Sequence, residues 1–244
     1  MVAVITAGGP IDGEYARRAG TDRKGLAPVR GRTMLARTID ALHACGVASI
    51  AVVGNQAIRD ACAGQGIQMI ADAGSGSANV LGALDAWTDQ REPLLYLTCD
   101  LPHIDARSLQ WFIDRVDPRS LAMPLCEYRD FAARFPGSPP FGITLAGERV
   151  VNAGVLHIPP GSRSRIREFA TALFEARKAP WKMAGIAGPG AFVRFALGRL
   201  SIAQIEARAG RVLGVPVHAV RGAPPELAFD ADTVDEYVYA LEHE

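Results

Sequence analysis

Residues 2–9 read Val2-Ala3-Val4-Ile5-Thr6-Ala7-Gly8-Gly9, an apolar, β-branched run that ends in two glycines. Such a run is typical of a buried strand in a parallel sheet. A glycine turn after a strand lets an anion approach backbone N–H groups, because no Cβ intervenes. The next residues carry four cations, Arg17, Arg18, Arg23 and Lys24, and no helix is predicted before Thr33. We interpret the segment as a polyphosphate site; a surface loop with solvated arginines is the alternative.

Two commoner glycine motifs do not fit this turn. The dinucleotide fingerprint needs Gly-x-Gly-x-x-Gly leading directly into a helix, with an acidic residue after the second strand. Here Pro10 follows Gly9, and the second predicted strand ends at Gly54-Asn55 without an acid. The P-loop string Gly-x-x-x-x-Gly-Lys-Ser/Thr does not occur in the sequence. The turn therefore belongs to neither class.

The composition indicates an ordinary globular protein. The chain has 244 residues, of which 49% are hydrophobic and 21% charged, enough for one large α/β domain. The formal net charge is zero, which gives no indication of a nucleic-acid-binding surface. No apolar run of about 18 residues occurs, so no transmembrane segment is predicted, and the N-terminus does not read as a signal peptide. The four cysteines form no Cys-x-x-Cys pair, which favours reduced thiols in a cytoplasmic protein.

Short apolar runs alternate with helical patterns, which predicts βαβ units. Later strands are predicted at 47–53, 67–71, 94–98, 120–127, 149–158 and 215–220, and residues 128–141 as a loop. Helices are predicted from Thr33, Ser77, Asp105 and Thr233, and at 56–63, 192–200 and 201–208. The predicted fold class is a Rossmann-like, mostly parallel three-layer α/β/α domain with a helical insertion at about 161–210. We expect one domain over 1–244, with a nucleotide-binding half at about 1–127 and an acceptor half at about 128–244.

Ligands of open parallel sheets bind beyond the carboxyl ends of the strands, so the residues that follow each strand are site candidates. The second such place is the glycine-serine loop 72–79, where we interpret Asn79 as a ribose or base contact. Ser77 in that loop is at least as well explained as a helix cap. The third is Asp100, directly after 94–98 and held by Pro102, which offers a hard oxygen ligand for Mg²⁺.

Three segments carry a family resemblance. They are Ala7-Gly8-Gly9 with Lys24-Gly25-Leu26-Ala27-Pro28-Val29-Arg30-Gly31-Arg32-Thr33-Met34-Leu35, then Thr98-Cys99-Asp100-Leu101-Pro102, and Phe229-Asp230-Ala231-Asp232-Thr233. In this order they resemble the motifs of the MobA-like NTP transferases, which include the molybdenum cofactor guanylyl- and cytidylyltransferases. The resemblance covers about 2–105 and 226–242. Two departures are a longer loop between Gly9 and Lys24, and Val234 in place of the usual proline.

The resemblance implies a GT-A-like fold and a Mg²⁺-dependent nucleotidyltransferase that moves NMP from an NTP to a small phosphorylated acceptor and releases pyrophosphate. The catalytic residues that it implies are Lys24, Arg23 and Asp100. The nucleotide-binding residues that it implies are Ala7, Gly8, Gly9, Arg17, Lys24, Gly76, Ser77 and Asn79. The implied metal ligands are Asp100 and Asp230, with Asp232 as the alternative to Asp230. Which of Arg17, Arg18 and Arg23 acts on the phosphates stays open.

The sequence gives fewer indications of where the acceptor binds. Its candidate segments are the loop 128–141, the strand around Asn152, whose polar residue interrupts an apolar run, and the segment 178–192. For the helices at 192–200 and 201–208 two interpretations stay open, a hydrophobic lid or interface, such as that of a homodimer, and core packing, which is slightly preferred for 192–200. Two other functions stay open, namely a GT-A glycosyltransferase that uses a nucleotide-sugar and a nucleotide-binding regulatory protein without turnover.

Overall fold

The computed structural model describes residues 1–87, 91–176 and 188–243. The strands in this part of the chain are β1 (Val2–Thr6), β2 (Pro28–Val29), β3 (Arg32–Thr33), β4 (Ser49–Gly54), β5 (Gln68–Ala71), β6 (Leu94–Thr98), β7 (Leu121–Glu127), β8 (Ile143–Leu145), β9 (Glu148–Asn152), β10 (Val155–Ile158) and β11 (Val217–Arg221). The helices are α1 (Gly13–Ala19), α2 (Met34–Ala44), α3 (Gln56–Ala61), α4 (Gly76–Leu84), α5 (Ala106–Ile113), α6 (Tyr128–Arg134), α7 (Arg163–Ala176), α8 (Pro189–Ala196), α9 (Ile202–Leu213) and α10 (Val234–Glu242).

In the described part of the chain, nine strands form one mixed sheet, in the order β5-β4-β1-β6-β10-β7-β9-β8, with β11 paired to β7. The pairs β1–β4, β1–β6, β4–β5 and β7–β11 are parallel. Within this sheet, each antiparallel pair of described strands involves β8, β9 or β10. Strands β2 and β3 form a separate antiparallel pair. The predicted mostly parallel α/β class is therefore confirmed.

The strands bury both faces, as the apolar run of β1 predicts. Ala3 and Ile5 enter a core that also holds side chains of α2, α3 and α5. Val2 and Val4 point the other way, into a core with α4, α7 and the end of α9. Alternate residues of a strand face opposite sides of a sheet, so β1 anchors both helical layers.

The segment after Gly8-Gly9 contains a helix, and the prediction of no helix before Thr33 is wrong. Helix α1 ends at Gly20, whose φ of +68° is the left-handed conformation that glycine adopts at no steric cost. Only Tyr15 and Ala19 of α1 are buried. Two buried residues are too few to give the repeating apolar pattern from which a helix is predicted. It is held instead by Tyr15, whose ring stacks on that of Tyr237 in α10 at 4.9 Å.

Residues 128–141 are also not simply a loop, because Tyr128–Arg134 forms α6. Its Phe131, together with Phe135 and Phe141, is buried against Phe229 and other aromatic side chains. The phenylalanines of this segment are therefore core residues rather than a free surface.

The predicted strand 149–158 is divided in two at Ala153-Gly154. Asn152 of β9 pairs with Leu125 of β7, whereas Val155 of β10 pairs with Leu97 of β6. A Cβ at Gly154 would lie 2.3 Å from the hydroxyl oxygen of Thr98, so this close approach to β6 requires glycine.

Among the described residues, no helix has both the length and the apolar character that a membrane span requires.

Candidate active site

The carboxyl ends of three neighbouring strands form one edge of the sheet. Thr6 at the end of β1 is in register with Val53 of β4 and Thr98 of β6. The next residues stay joined, since Ala7 N donates to Val53 O at 2.8 Å and Cys99 N donates to Thr6 O at 3.2 Å. The Gly8-Gly9 turn and Asp100 therefore leave the sheet side by side, as predicted from parallel pairing.

The loop after β5 reaches this edge and braces Gly8. Asn79 is buried; its Nδ2 donates to Asp72 Oδ1 at 3.0 Å, and its Oδ1 accepts from Ala73 N at 2.8 Å. A Cβ on Gly8 would lie 2.7 Å from Asn79 Nδ2 and 2.9 Å from Asp72 Oδ2. Glycine is therefore required for this contact, and the Asn79 amide already has partners within the loop.

Ser75, not Ser77, caps α4, and the predicted start at Ser77 is wrong by two residues. The Ser75 hydroxyl accepts a hydrogen bond from Ala78 N at 3.2 Å. Ser77 lies within the first turn, with its hydroxyl 3.4 Å from that of Ser75. Gly76 is the first helical residue and is exposed. The N-terminus of α4 thus follows directly on the loop that contacts Gly8.

Lys24 returns to the glycine turn at the end of the first loop. Its backbone N donates to Gly9 O at 3.0 Å. Its Nζ lies 3.2 Å from Asp100 Oδ2 and is also paired with Asp232 Oδ1. Burial by itself lowers the pKa of Lys24, but the two carboxylates outweigh it and raise the pKa above its ordinary range. Lys24 is therefore a fixed cation beside Gly9 and Asp100.

A C-terminal segment completes the group of charges. Ala231 N donates to Asp100 O at 3.0 Å, and Ala231 O accepts from the Tyr15 hydroxyl at 2.8 Å. From the sequence Phe229 is predicted to end a strand, but no strand of the described residues ends there, and Asp230 instead follows a 3₁₀ turn at Pro225–Leu227. Burial and the negative charges of Asp232, Asp100 and Glu236 raise the pKa of Asp230 to about 7. A cation between these carboxylates would relieve the repulsion.

The donor set fits a magnesium ion of the kind that the resemblance implies. Asp100 Oδ1 is buried and has no hydrogen-bond partner among the described residues, so a carboxylate oxygen is free for a ligand. Within the same residues, no three His, Cys, Asp or Glu side chains converge as a complete metal cage. Mg²⁺ is usually held by one or two carboxylates together with water and substrate phosphates. Asp100 and Asp230 match that pattern.

The three arginines of the first loop lie in different surroundings. Arg17 and Arg18 are exposed on α1 and both pair with Glu14. Arg23 is mostly buried next to Lys24, 3.6 Å from Asp22, and its Nε has no hydrogen-bond partner in the described part of the chain. Of the three arginines, Arg23 is therefore the one next in sequence to Lys24, which pairs with Asp100.

Two residues at this edge have more contacts with the site than the sequence indicates. Asp72 follows β5 as Asp100 follows β6, so the rule that identified Asp100 applies equally to Asp72. Asp232 ranked behind Asp230 in the sequence, although it is Asp232 that pairs with Lys24. The sequence does not show that the C-terminal segment reaches the first loop.

A cavity of about 430 Å³ opens beside Lys24. It is lined by residues of the α1 turn and by the start of α10, including Tyr15, Asp232 and Thr233. The charged edge is therefore open to a ligand on the side of α1.

Known proteins resemble the chain in sequence and in structure. The sequence model of the MobA-like NTP transferase domain matches residues 3–228. A hypothetical transferase from Thermus thermophilus is 28% identical, with a TM-score of 0.81 over 96% of this chain and 98% of its own. No curated protein matches the chain in sequence.

Two more distant structures share the fold. A 4-diphosphocytidyl-2C-methyl-D-erythritol synthase from Anaerococcus prevotii is 12% identical, with a TM-score of 0.58 over 99% of this chain and 94% of its own. A CTP:phosphocholine cytidylyltransferase from Streptococcus pneumoniae is 11% identical, with a TM-score of 0.57 over 99% and 97%. At these identities the likeness concerns the fold alone.

Proposed function

Because the chain belongs to the MobA-like NTP transferase family, we propose that it transfers a nucleoside monophosphate from an NTP to a small phosphorylated acceptor. The observation that carries the proposal is the Lys24–Asp100 pair beside the Gly8-Gly9 turn, in which the buried Asp100 Oδ1 has no hydrogen-bond partner among the described residues. A glycine turn, a fixed cation and a free carboxylate oxygen are what a metal-bound triphosphate requires.

In the proposed reaction, an oxygen of the acceptor phosphate forms a bond to the α-phosphorus of the NTP. The bond from that phosphorus to the α–β bridging oxygen breaks, and pyrophosphate leaves with the electron pair. A phosphate monoester is mostly ionised near neutral pH, so no general base has to remove a proton. His103, three residues after Asp100, has no role as a base in this scheme. It packs against Phe135 and Phe229, and burial lowers its pKa to about 4.

Each charged residue has a role in this scheme. Lys24 stabilises the negative charge that develops on the leaving pyrophosphate, and Arg23 is the adjoining second cation. Asp100 and Asp230 would hold Mg²⁺, which when bound neutralises the triphosphate and aligns its phosphates. Gly8 and Gly9 let the triphosphate approach the backbone, and Asn79 fixes the loop that faces the nucleoside.

Thermal unfolding in the presence of ATP, GTP, CTP or UTP, each with Mg²⁺ or with EDTA, tests the proposal. A ligand at about 100 times its Kd stabilises the native state by about 2.7 kcal/mol. We expect one or more NTPs to raise the midpoint with Mg²⁺ but not with EDTA. Asp100→Asn should remove this dependence, whereas Asp114→Asn, which changes an exposed carboxylate at the end of α5, should retain it.

Turnover then separates the proposal from its alternatives. We expect the α-phosphate of the selected NTP to appear in the product together with pyrophosphate. Release of a nucleoside diphosphate from a nucleotide-sugar would instead identify a glycosyltransferase. Equal nucleotide binding by the wild type and Asp100→Asn, without turnover, would favour a regulatory protein.

A further inference from the structure

An apolar cavity of about 340 Å³ lies between the sheet and helix α9. Its floor is formed by β7, β9, β10 and β11, its side by β8, and its roof by Ile202 and Ile205 of α9. The apolar residues that line it are Leu121, Ala122, Met123, Leu125, Ile143, Leu145, Leu156, Ile202, Ile205, Val217 and Ala219. A cavity of this size and character is typical of a small-molecule site.

The mouth of the cavity exposes large aliphatic side chains to water. Ile143 on one side is 50% exposed and Ile205 on the other is 38% exposed. The preceding helix α8 also exposes Phe192, Phe195 and other apolar side chains. Large exposed apolar side chains gathered in one part of a protein surface often mark a binding site.

The cavity lies on the face of the sheet that carries α4. Its Leu121, Leu156 and Val217 pack against the same core as Leu84 of α4. The loop at the start of α4 contacts Gly8. The cavity and the proposed nucleotide site therefore share one side of the sheet.

Asn152 connects the cavity with the charged edge. It lines the cavity, and it is the last residue of β9 before the chain turns at Ala153-Gly154. In the β6–β10 register Leu97 is opposite Val155, and Thr98 N donates to Gly154 O at 3.0 Å. Asn152 is therefore two residues along the chain from a hydrogen bond to Thr98, the last residue of β6, and Asp100 lies two residues beyond Thr98.

We propose that this cavity holds the hydrocarbon part of the acceptor, so that the acceptor is a monophosphate ester of an aliphatic alcohol. The proposal rests on the proposed nucleotidyl transfer and names its acceptor class. The phosphate lies at the edge near Asn152 and Asp100, where it attacks the α-phosphorus, and the chain extends under α9. A concave apolar lining suits a flexible chain better than the flat patch by which a second copy would associate.

Glu206 lies in the roof of the cavity, and its carboxylate is hydrogen-bonded to the sheet. Its Oε1 accepts from Ala219 N of β11 at 2.7 Å. The carboxylate thereby pairs with a backbone N–H of β11, a strand that pairs with β7 alone in the described sheet. Apart from Asn152 and His218, the lining that remains for a ligand is aliphatic.

A series of alkyl phosphates tests the proposal on the full-length protein with its NTP and Mg²⁺. The probes are methyl, butyl and octyl phosphate, and the readout is kcat/KM for pyrophosphate release. Each methylene that the cavity buries should raise kcat/KM roughly fourfold, the factor equivalent to about 0.8 kcal/mol. We expect the increase to continue from methyl to octyl phosphate.

A matched pair of variants localises the effect. Ile205→Asp places a carboxylate in the roof and should flatten the dependence on chain length. Val212→Asp makes the same change at an exposed position of α9 outside the cavity lining, and should retain the wild-type dependence. Both positions are exposed on a helix, and equal thermal midpoints would verify that neither change disrupts the fold.

The outcomes separate this inference from the proposed function. A flat response to chain length in the wild type, with turnover of short phosphates intact, overturns the inference and leaves the nucleotidyl transfer standing. Absence of NTP binding overturns both. A monomer–dimer shift caused by Ile205→Asp, with an unchanged chain-length response, identifies the surface as a homodimer interface and also overturns the inference.

Discussion

Gly8 is the residue at which backbone and side chains meet most closely in the proposed site. Asn79 and Asp72 both occupy the space that a Cβ on Gly8 would take, and the hydrogen bond between them fixes the start of the α4 loop. Because a buried amide bonded on both sides rarely shifts, this contact sets the distance between the glycine turn and the loop.

We predict that Gly8→Ala widens this contact. The added methyl would lie 2.7 Å from Asn79 Nδ2, so the loop must move. Overpacking of this kind costs roughly 1–3 kcal/mol of unfolding free energy, and NTP affinity should fall roughly tenfold, which equals about 1.4 kcal/mol. Chemical denaturation and calorimetric titration with NTP measure the two effects.

Gly82→Ala is the matched control for that change. Gly82 lies within α4, and a Cβ there meets no atom within 4 Å. The unfolding free energy should stay the same or rise by about 0.4–1 kcal/mol, because alanine has less freedom in the unfolded chain. Equal NTP affinity of Gly8→Ala and Gly82→Ala would contradict the role given to Gly8.

Helix α10 is the element that brings the C-terminal carboxylates to the first loop. Its start is fixed by a capping box, in which Thr233 N donates to Glu236 at 2.7 Å and Glu236 N donates to the Thr233 hydroxyl at 3.3 Å. Further along, the Tyr237 hydroxyl donates to Pro28 O at 2.7 Å. The helix therefore holds Asp232 at its N-terminus beside Lys24.

We predict that Thr233→Ala weakens both stability and Mg²⁺-dependent NTP binding. Loss of an N-cap costs about 1 kcal/mol, or about 2–4 °C in thermal midpoint for a domain of this size. Ser201→Ala removes the equivalent box of α9 and should lower the midpoint by a similar amount while NTP affinity stays at the wild-type value. Matching losses of NTP affinity in the two variants would show that the effect is general destabilisation.

At the scale of the whole molecule, the sheet interleaves the two halves of the chain. Strand β10, from the second half, lies between β6 and β7 of the first half. It hydrogen-bonds with β6 along four residue pairs, Val155 to Ile158 with Leu97 to Leu94. The proposed boundary near residue 127 therefore separates two functional parts of the chain but does not divide the core.

We predict one cooperative unfolding transition for the chain. Far-UV circular dichroism and tryptophan fluorescence should give the same midpoint, because β10 couples the halves. A fragment of residues 1–127 should fail to fold, since the edge of β6 that β10 covers would be exposed to water. Two separate transitions, or a folded fragment, would contradict a single domain.

Much of the fold follows from local sequence patterns. The strand at 94–98 and the helix caps at Thr33, Asp105, Ser201 and Thr233 agree with the structure, because alternation, buried apolar runs and capping residues act over a few neighbours. Helices α1 and α6 were not predicted. Each is short, and its stability comes from aromatic contacts with residues near the C-terminus, which no local window contains.

The sequence by itself determined the parallel sheet, the glycine turn and the position of Asp100 at a strand end, since these depend on backbone chemistry and on the order of strands. Only the tertiary structure decided which carboxylates face Lys24, how Asn79 and Asp72 brace Gly8, and that an apolar cavity lies beneath α9. These features join residues far apart in the chain. Their contacts are set by the packing of whole helices and strands, and local sequence patterns do not determine that packing.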